Sequence, residues 1–254
     1  MSQRASSSSQ LPVVNTIWIG AELGPVQVAC LKSFLQCGHR VILHCYDRPN
    51  DLPGGVELAD AASLLPKTSM VRYKNGSVAV FSNFLRYEIL KRGLGLYADC
   101  DVFCLQPIED SDYIFGWESS MSINNAILKL PADCLVLTQL CALKQKSCAL
   151  PWLKSKRKWR RKIVRSIEEL PRGTTGPAAL TYYAKHFGIE RFARPVDSFY
   201  PLWWGHTDLL FDPGLALSDL GTRRTKAIHL YVSQHRKQEI VPHSPIAEII
   251  ASTQ

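Results

Sequence analysis

The chain has 254 residues, enough for one large domain or two small ones with a sizeable core, and its 46% hydrophobic and 20% charged residues describe a folded globular protein, not a disordered one. Its net charge is +8, from 30 Lys and Arg against 22 Asp and Glu, but eight basic residues and no acid fall between Lys154 and Arg165 (KSKRKWRRKIVR). The rest of the chain is neutral, so the basicity belongs to one patch and argues against a uniformly basic nucleic-acid binder.

Residues 1–10 are Ser-rich and lack an apolar core of signal-peptide quality, so a disordered leader is expected there. Val13 to Ile19 is β-branched and aromatic and stops at Gly20, which predicts a strand. Pro25 and Gly38 then bracket a helix with Val28, Leu31 and Leu35 on one face. Arg40 to Tyr46 is a second strand, and this β-α-β opening favours a parallel sheet. Residues 47–75 read as loop with one short helix near Ala59 to Leu65. Ser77 to Arg92 is helical, with Phe81, Leu85 and Ile89 in line and Gly93 as its stop. Leu94 to Phe103, Tyr113 to Trp117 and Ile123 to Leu128 are expected strands. Helices follow at Ala132 to Lys146 and Gly176 to Phe187, then a strand at Ala227 to Tyr231 and a short helix at Pro245 to Ala251. The alternation gives an α/β class with a mostly parallel central sheet flanked by helices.

The eight cysteines include no C-x-x-C pair, so zinc-ribbon and thioredoxin-like readings lack their spacing, and buried free thiols are expected. No window holds the ~20 apolar residues of a membrane span. A reduced, cytoplasmic protein is expected, with peripheral attachment at the inner face of the membrane as an extension of that reading.

The segment with the most chemistry is SNFLRYEILKRGLGLYADCDV, residues 82–102. On a strand, Asp99 and Asp101 would share one face about 7 Å apart, with Leu96, Ala98, Cys100 and Val102 on the other. Paired carboxylates repel unless a cation neutralises them, and a hard divalent ion shared with substrate phosphates is a natural solution. A solvated surface turn is the alternative for an isolated D-x-D. Here the preceding helix adds Asn83, Arg86 and Tyr87, and an arginine suits planar, multidentate contact with a phosphate or sugar.

This segment resembles the signature of the DXD-motif sugar transferases, the glycosyltransferase family 32-like group, with more distant similarity to the catalytic domains of clostridial glucosylating toxins. The pattern there is S-D-x-x-R-Y-x-x-L, a short gap, then G-G-x-Y-x-D-x-D. Asn15-Thr16-Ile17-Trp18-Ile19-Gly20 is similar to the family's I-W-x-G strand, Thr175-Gly176-Pro177 to its T-G-P, and Ile228-His229 with Ser233 to its H…S-W block. Asn83 replaces the usual Asp, Leu94 one of the paired glycines, Gln234 the terminal Trp, and Asn15 a frequent His. These departures bear on the donor sugar more than on the reaction.

The resemblance implies a single GT-A-like nucleotide-sugar-binding domain over residues 11–254. Its donor and metal half spans 11–128, and its acceptor half, 129–254, contains the basic segment 154–165. It implies a metal-dependent, retaining transfer of a hexose from a nucleotide-diphosphate sugar, UDP-linked by preference with GDP-mannose as the alternative. The cofactor is Mn²⁺ or Mg²⁺, held by Asp101 directly and by His229, for which a structural histidine is the alternative reading, with Asp99 on ribose or sugar hydroxyls and reaching the metal through water. Asn83, Arg86, Tyr97 and Asp99 would hold the donor, Ile17 and Trp18 the nucleotide base, with a core tryptophan on a buried strand as the alternative for Trp18, and Arg236 the departing diphosphate. Trp117, Glu118, Asn124 and Asn125 are acceptor-side candidates, with an ordinary sheet-edge role as the alternative reading, and Trp203-Trp204 is either packing or a stacking surface for an acceptor sugar.

The expected acceptor is a surface-polysaccharide or lipid-linked glycan, with a protein target of an effector-like enzyme as runner-up. A basic nucleic-acid-binding protein is the non-transferase alternative, but no RNA-recognition motif or zinc module accompanies the basic run. A phosphohydrolase would need more carboxylates and histidines than this strand supplies. The basic run, with Trp152 and Trp159 in or beside it, suits an anionic membrane surface, with a solvated basic helix or loop without a partner as the alternative reading.

Overall fold

The computed structural model describes residues 11–145, 150–153, 166–235 and 238–253. The leader, the basic segment 154–165, Cys148 and Arg236 lie outside the described residues. The chain opens with β1 (Val14–Trp18), α1 (Pro25–Gln36), β2 (Val41–Cys45) and β3 (Glu57–Asp60). It continues through α2 (Ala79–Lys91), β4 (Leu96–Ala98), β5 (Val102–Cys104), β6 (Ile114–Trp117), β7 (Ile123–Lys129) and α3 (Leu135–Ala142). The last part holds α4 (Ala179–His186), α5 (Val196–Phe199), β8 (Ala227–His229) and α6 (Pro245–Ala251).

Six strands form one sheet in the order β3-β2-β1-β4-β7-β6, and β5 pairs with β8 in a separate two-stranded ribbon. β3, β2, β1 and β4 run parallel, whereas β7 is antiparallel to both β4 and β6. Alternate side chains serve opposite faces. Val14, Leu96, Ala98 and Ile127 pack with Leu31 and Phe34 of α1. Ile17, Tyr97 and Leu128 pack with Phe81, Leu85 and Ile89 of α2, with Leu137 and Leu140 of α3 and with Leu180 of α4. The protein is therefore an α/β molecule whose six-stranded, mostly parallel sheet is flanked by helices on both faces. Among the described residues, no helix is long and apolar enough to cross a membrane.

Several elements differ from expectation. Leu94 to Phe103 is not one strand: its ladder breaks after Ala98, and β5 resumes at Val102 with a different partner. The break is a turn in which the Val102 N–H donates to the Asp99 carbonyl at 3.1 Å. The expected loop 47–75 contains β3, which pairs with β2 from Ile42↔Glu57 to Cys45↔Asp60. The helix expected from Ala132 starts only at Leu135, because Cys134 is its extended N-cap. The one expected from Gly176 starts at Ala179, after a wide turn over Thr174–Ala178 in which Gly176 is non-helical. The seven described cysteines are free; Cys30, Cys45, Cys100 and Cys104 are buried, whereas Cys37, Cys134 and Cys141 are only partly so.

Candidate metal centre and its cleft

Strand order fixes where the site lies. From β1 the chain moves outward to β2 and β3, then returns through α2 to place β4 on the other side of β1. The C-terminal ends of β1 and β4 thus flank a topological switch point, where open α/β sheets bind ligands. Trp18 ends β1 and Asp99 follows β4, and both line a cleft of about 1010 Å³.

Asp99 is organised by α2. Residues 83 and 86 are one turn apart, so both side chains project from the same face toward β4. Arg86 is almost fully buried; it donates to Asp99 Oδ1 at 2.5 Å and to Asn83 Oδ1 at 2.6 Å. The Tyr97 hydroxyl donates to the same Asp99 oxygen at 2.7 Å, and the guanidinium lies 4.4 Å from the Tyr97 ring centroid. Burial works against the Arg86 charge, but Asp99 and the surrounding tyrosines outweigh it and hold the guanidinium pKa above its ordinary value. Burial also drives the Tyr97 phenol well up, so it stays a donor.

Asn83 closes the next layer. It donates to Thr175 Oγ1 at 3.0 Å and accepts from Asn125 Nδ2 at 2.9 Å. A Cβ at Gly176 would sit 3.0 Å from both amides, so any larger residue in the T-G-P segment would press on the Asn83 and Asn125 side chains. Asn83 and Arg86, expected to hold the donor directly, are thus tied to Asp99, Thr175 and Asn125 while still lining the cleft.

Asp101 is reached from β8. Pairing of Val102 with His229 brings the imidazole alongside, with Nε2 at 3.3 Å from Asp101 Oδ1. The other carboxylate oxygen accepts from the Val232 N–H at 3.0 Å. Burial disfavours both ions, yet each partner's charge prevails: the Asp101 pKa is lowered and the His229 pKa raised.

Ligand atoms of Asp99, Asp101 and His229 all lie within 4.8 Å of one another. Two carboxylates and an imidazole suit a divalent cation, and oxygen-rich sets with room for water or phosphate favour Mg²⁺ or Mn²⁺. The His229 Nδ1 atom is buried with no hydrogen-bond partner among the described residues. The residues present therefore fit the expected ion, with carboxylates already fixed by donors on their outer sides.

The cleft also gathers Ile17, Trp18, Glu118, Asn124 and Asn125. Trp117 is not among them; its ring lies under Lys185 Nζ at 5.4 Å from the centroid. Sequence reasoning missed Tyr231 and Arg172, which also line the cleft. Arg172 Nη2 donates to Ser233 Oγ at 3.0 Å, and Tyr231 adopts the left-handed conformation at φ 50° and ψ 42°. No sequence signal marks either: one is a lone basic residue before a turn, the other a bulky residue in a conformation it rarely takes. Compared with protein-family models and with curated proteins, the chain finds no match in either.

Proposed function

We propose that the chain is a metal-dependent glycosyltransferase with a GT-A-like domain, moving a hexose from a nucleotide-diphosphate sugar to a surface-polysaccharide or lipid-linked glycan. The observation that carries this reading is the meeting of Asp99, Asp101 and His229 within 4.8 Å at the end of β4. The cleft above them, about 1010 Å³, is at the upper end of the ~300–1,000 Å³ typical of small-molecule sites, as a bulky donor with an acceptor requires.

A divalent cation bound there supplies charge to offset the departing nucleoside diphosphate without proton transfer. The chain's own residues orient what binds. Arg86 and Tyr97 occupy Asp99 Oδ1, and no hydrogen bond among the described residues reaches its Oδ2. Val232 and His229 hold Asp101 from the other side. Ile17 and Trp18 form the wall for the nucleotide base.

The test is incubation with Mn²⁺ and a panel of UDP- and GDP-sugars, reading nucleotide release. One donor should be consumed, and Asp101→Ala should reduce release by about 10²-fold or more. If no donor is bound or consumed and Asp101→Ala changes nothing, the transferase reading fails.

A further inference from the structure

Glu118 immediately follows β6, is half-buried and lines the cleft. Its Oε1 accepts two hydrogen bonds, from the Tyr231 hydroxyl at 2.9 Å and from Asn124 Nδ2 at 3.0 Å. No hydrogen bond or ion pair among the described residues reaches Oε2. An ionised carboxylate only accepts, with room for about four hydrogen bonds, so Oε1 is engaged while Oε2 has no protein donor among the described residues. A second metal ion is a poor occupant, because Glu118 lies outside the described set of clustered ligand atoms formed by Asp99, Asp101 and His229. The remaining complement is a ligand hydrogen-bond donor, and a sugar O–H is the one the transferase reading supplies.

The Tyr231 hydroxyl is placed at a cost in backbone strain. For a bulky residue the left-handed region is an outlier, and such outliers gather at ligand clamps. The same turn serves the metal ligands. The Tyr231 ring centroid is 3.9 Å from that of His229, and the next residue, Val232, donates its N–H to Asp101. One strained turn therefore fixes the Asp101 carboxylate through its backbone and the Glu118 carboxylate through its side chain.

We propose that Glu118 is the acceptor-binding carboxylate, its open Oε2 receiving the reactive hydroxyl of a pyranoside acceptor, and that Tyr231 is the positioning residue that aims it. This rests on the transferase reading and names the substrate group that its second half-site recognises.

The experiment uses the full chain with Mn²⁺, the donor sugars above and p-nitrophenyl α- and β-hexopyranosides as probe acceptors. Calorimetric titration of Mn²⁺ with UDP is the parallel readout. Glu118→Gln should lower kcat/KM for the acceptor by at least about tenfold, the loss expected of a charge-assisted hydrogen bond. Its UDP affinity should stay within about threefold, which also reports an intact fold. Tyr231→Phe, which removes only the hydroxyl, should raise the acceptor KM by about tenfold while kcat and UDP affinity change little. A purely structural tyrosine would lower stability without that split. The proposal is overturned if Glu118→Gln transfers like the wild type, or if it loses UDP affinity in parallel. It is also overturned if the wild type consumes donor but glycosylates none of the pyranosides. A wild type that binds neither Mn²⁺ nor UDP would instead sink the transferase reading, and this inference with it.

Discussion

Arg86 is the residue on which the candidate site most depends. Its guanidinium holds Asp99, Asn83 and the Tyr97 ring together with about 4% of its surface exposed. Replacing it leaves the Asp99 carboxylate without its counter-charge, and breaking such a pair costs about 3 kcal/mol or more when both ions are buried. Asp99 keeps about a quarter of its side chain exposed, so Arg86→Met is expected to cost about 2 kcal/mol, read by urea unfolding. The same variant should weaken Mn²⁺ binding by about tenfold as Asp99 loses its fixed orientation. The pairing of Asn83 with Arg86 was legible in the sequence because helix periodicity places them one turn apart; Asp99 and Asp101, expected on one face of a strand, instead lie in the turn between β4 and β5. The other partners of Asn83 were not legible. Thr175 and Asn125 reach Asn83 across 92 and 42 residues, distances over which a local pattern carries no information.

At the scale of elements, the strands packed on both faces were readable from their runs of β-branched and aromatic residues. β3 was not, because Glu57-Leu58-Ala59-Asp60 is an edge strand with little of it buried, and exposed edges carry no apolar signature. The break between β4 and β5 escaped for the opposite reason. Leu96, Ala98, Cys100 and Val102 all enter the core on the α1 side, so alternation continues while the hydrogen-bond ladder changes partner. The turn from α2 into β4 gives a sharp test of what its glycines do. Gly93 has φ +63° with open space around it, whereas Gly95 has φ +126° and its Cβ position would collide with the Val13 carbonyl. Gly93→Ala should therefore cost only about 1 kcal/mol, whereas Gly95→Ala should cost about 3 kcal/mol or more and disturb the β1–β4 pairing. Chemical denaturation midpoints of the two variants test this; equal losses would contradict it.

Over the whole molecule, the sheet order puts the Asp99–Asp101 turn beside the end of β1, and a buried histidine on β2 makes stability sensitive to acid. His44 on β2 bonds through Nε2 to Asn15 Oδ1 at 2.9 Å, and its Nδ1 is buried with no partner among the described residues. Burial, helped by the Arg92 charge, lowers its pKa to about 4. The unfolded imidazole titrates near ~6.5, so below that pH the unfolded state binds the proton more readily. The stabilising contribution is full above the unfolded value and is lost as pH falls from about 6.5 to about 4, by about 2–3 kcal/mol in all. His44→Gln should flatten the stability profile in that window, as urea midpoints measured across the range would show. An unchanged slope would contradict it. The +8 charge resides in the segment 154–165, which lies outside the described residues. Whether Asp99, Asp101 and His229 form one divalent-cation site is decided by Mn²⁺ titration followed by electron paramagnetic resonance. The wild type should bind one Mn²⁺ per chain, and Asp101→Asn and His229→Ala should each weaken it by about tenfold or more while remaining folded. Wild-type protein that leaves the free Mn²⁺ signal undiminished, or variants that bind as the wild type does, would contradict the account.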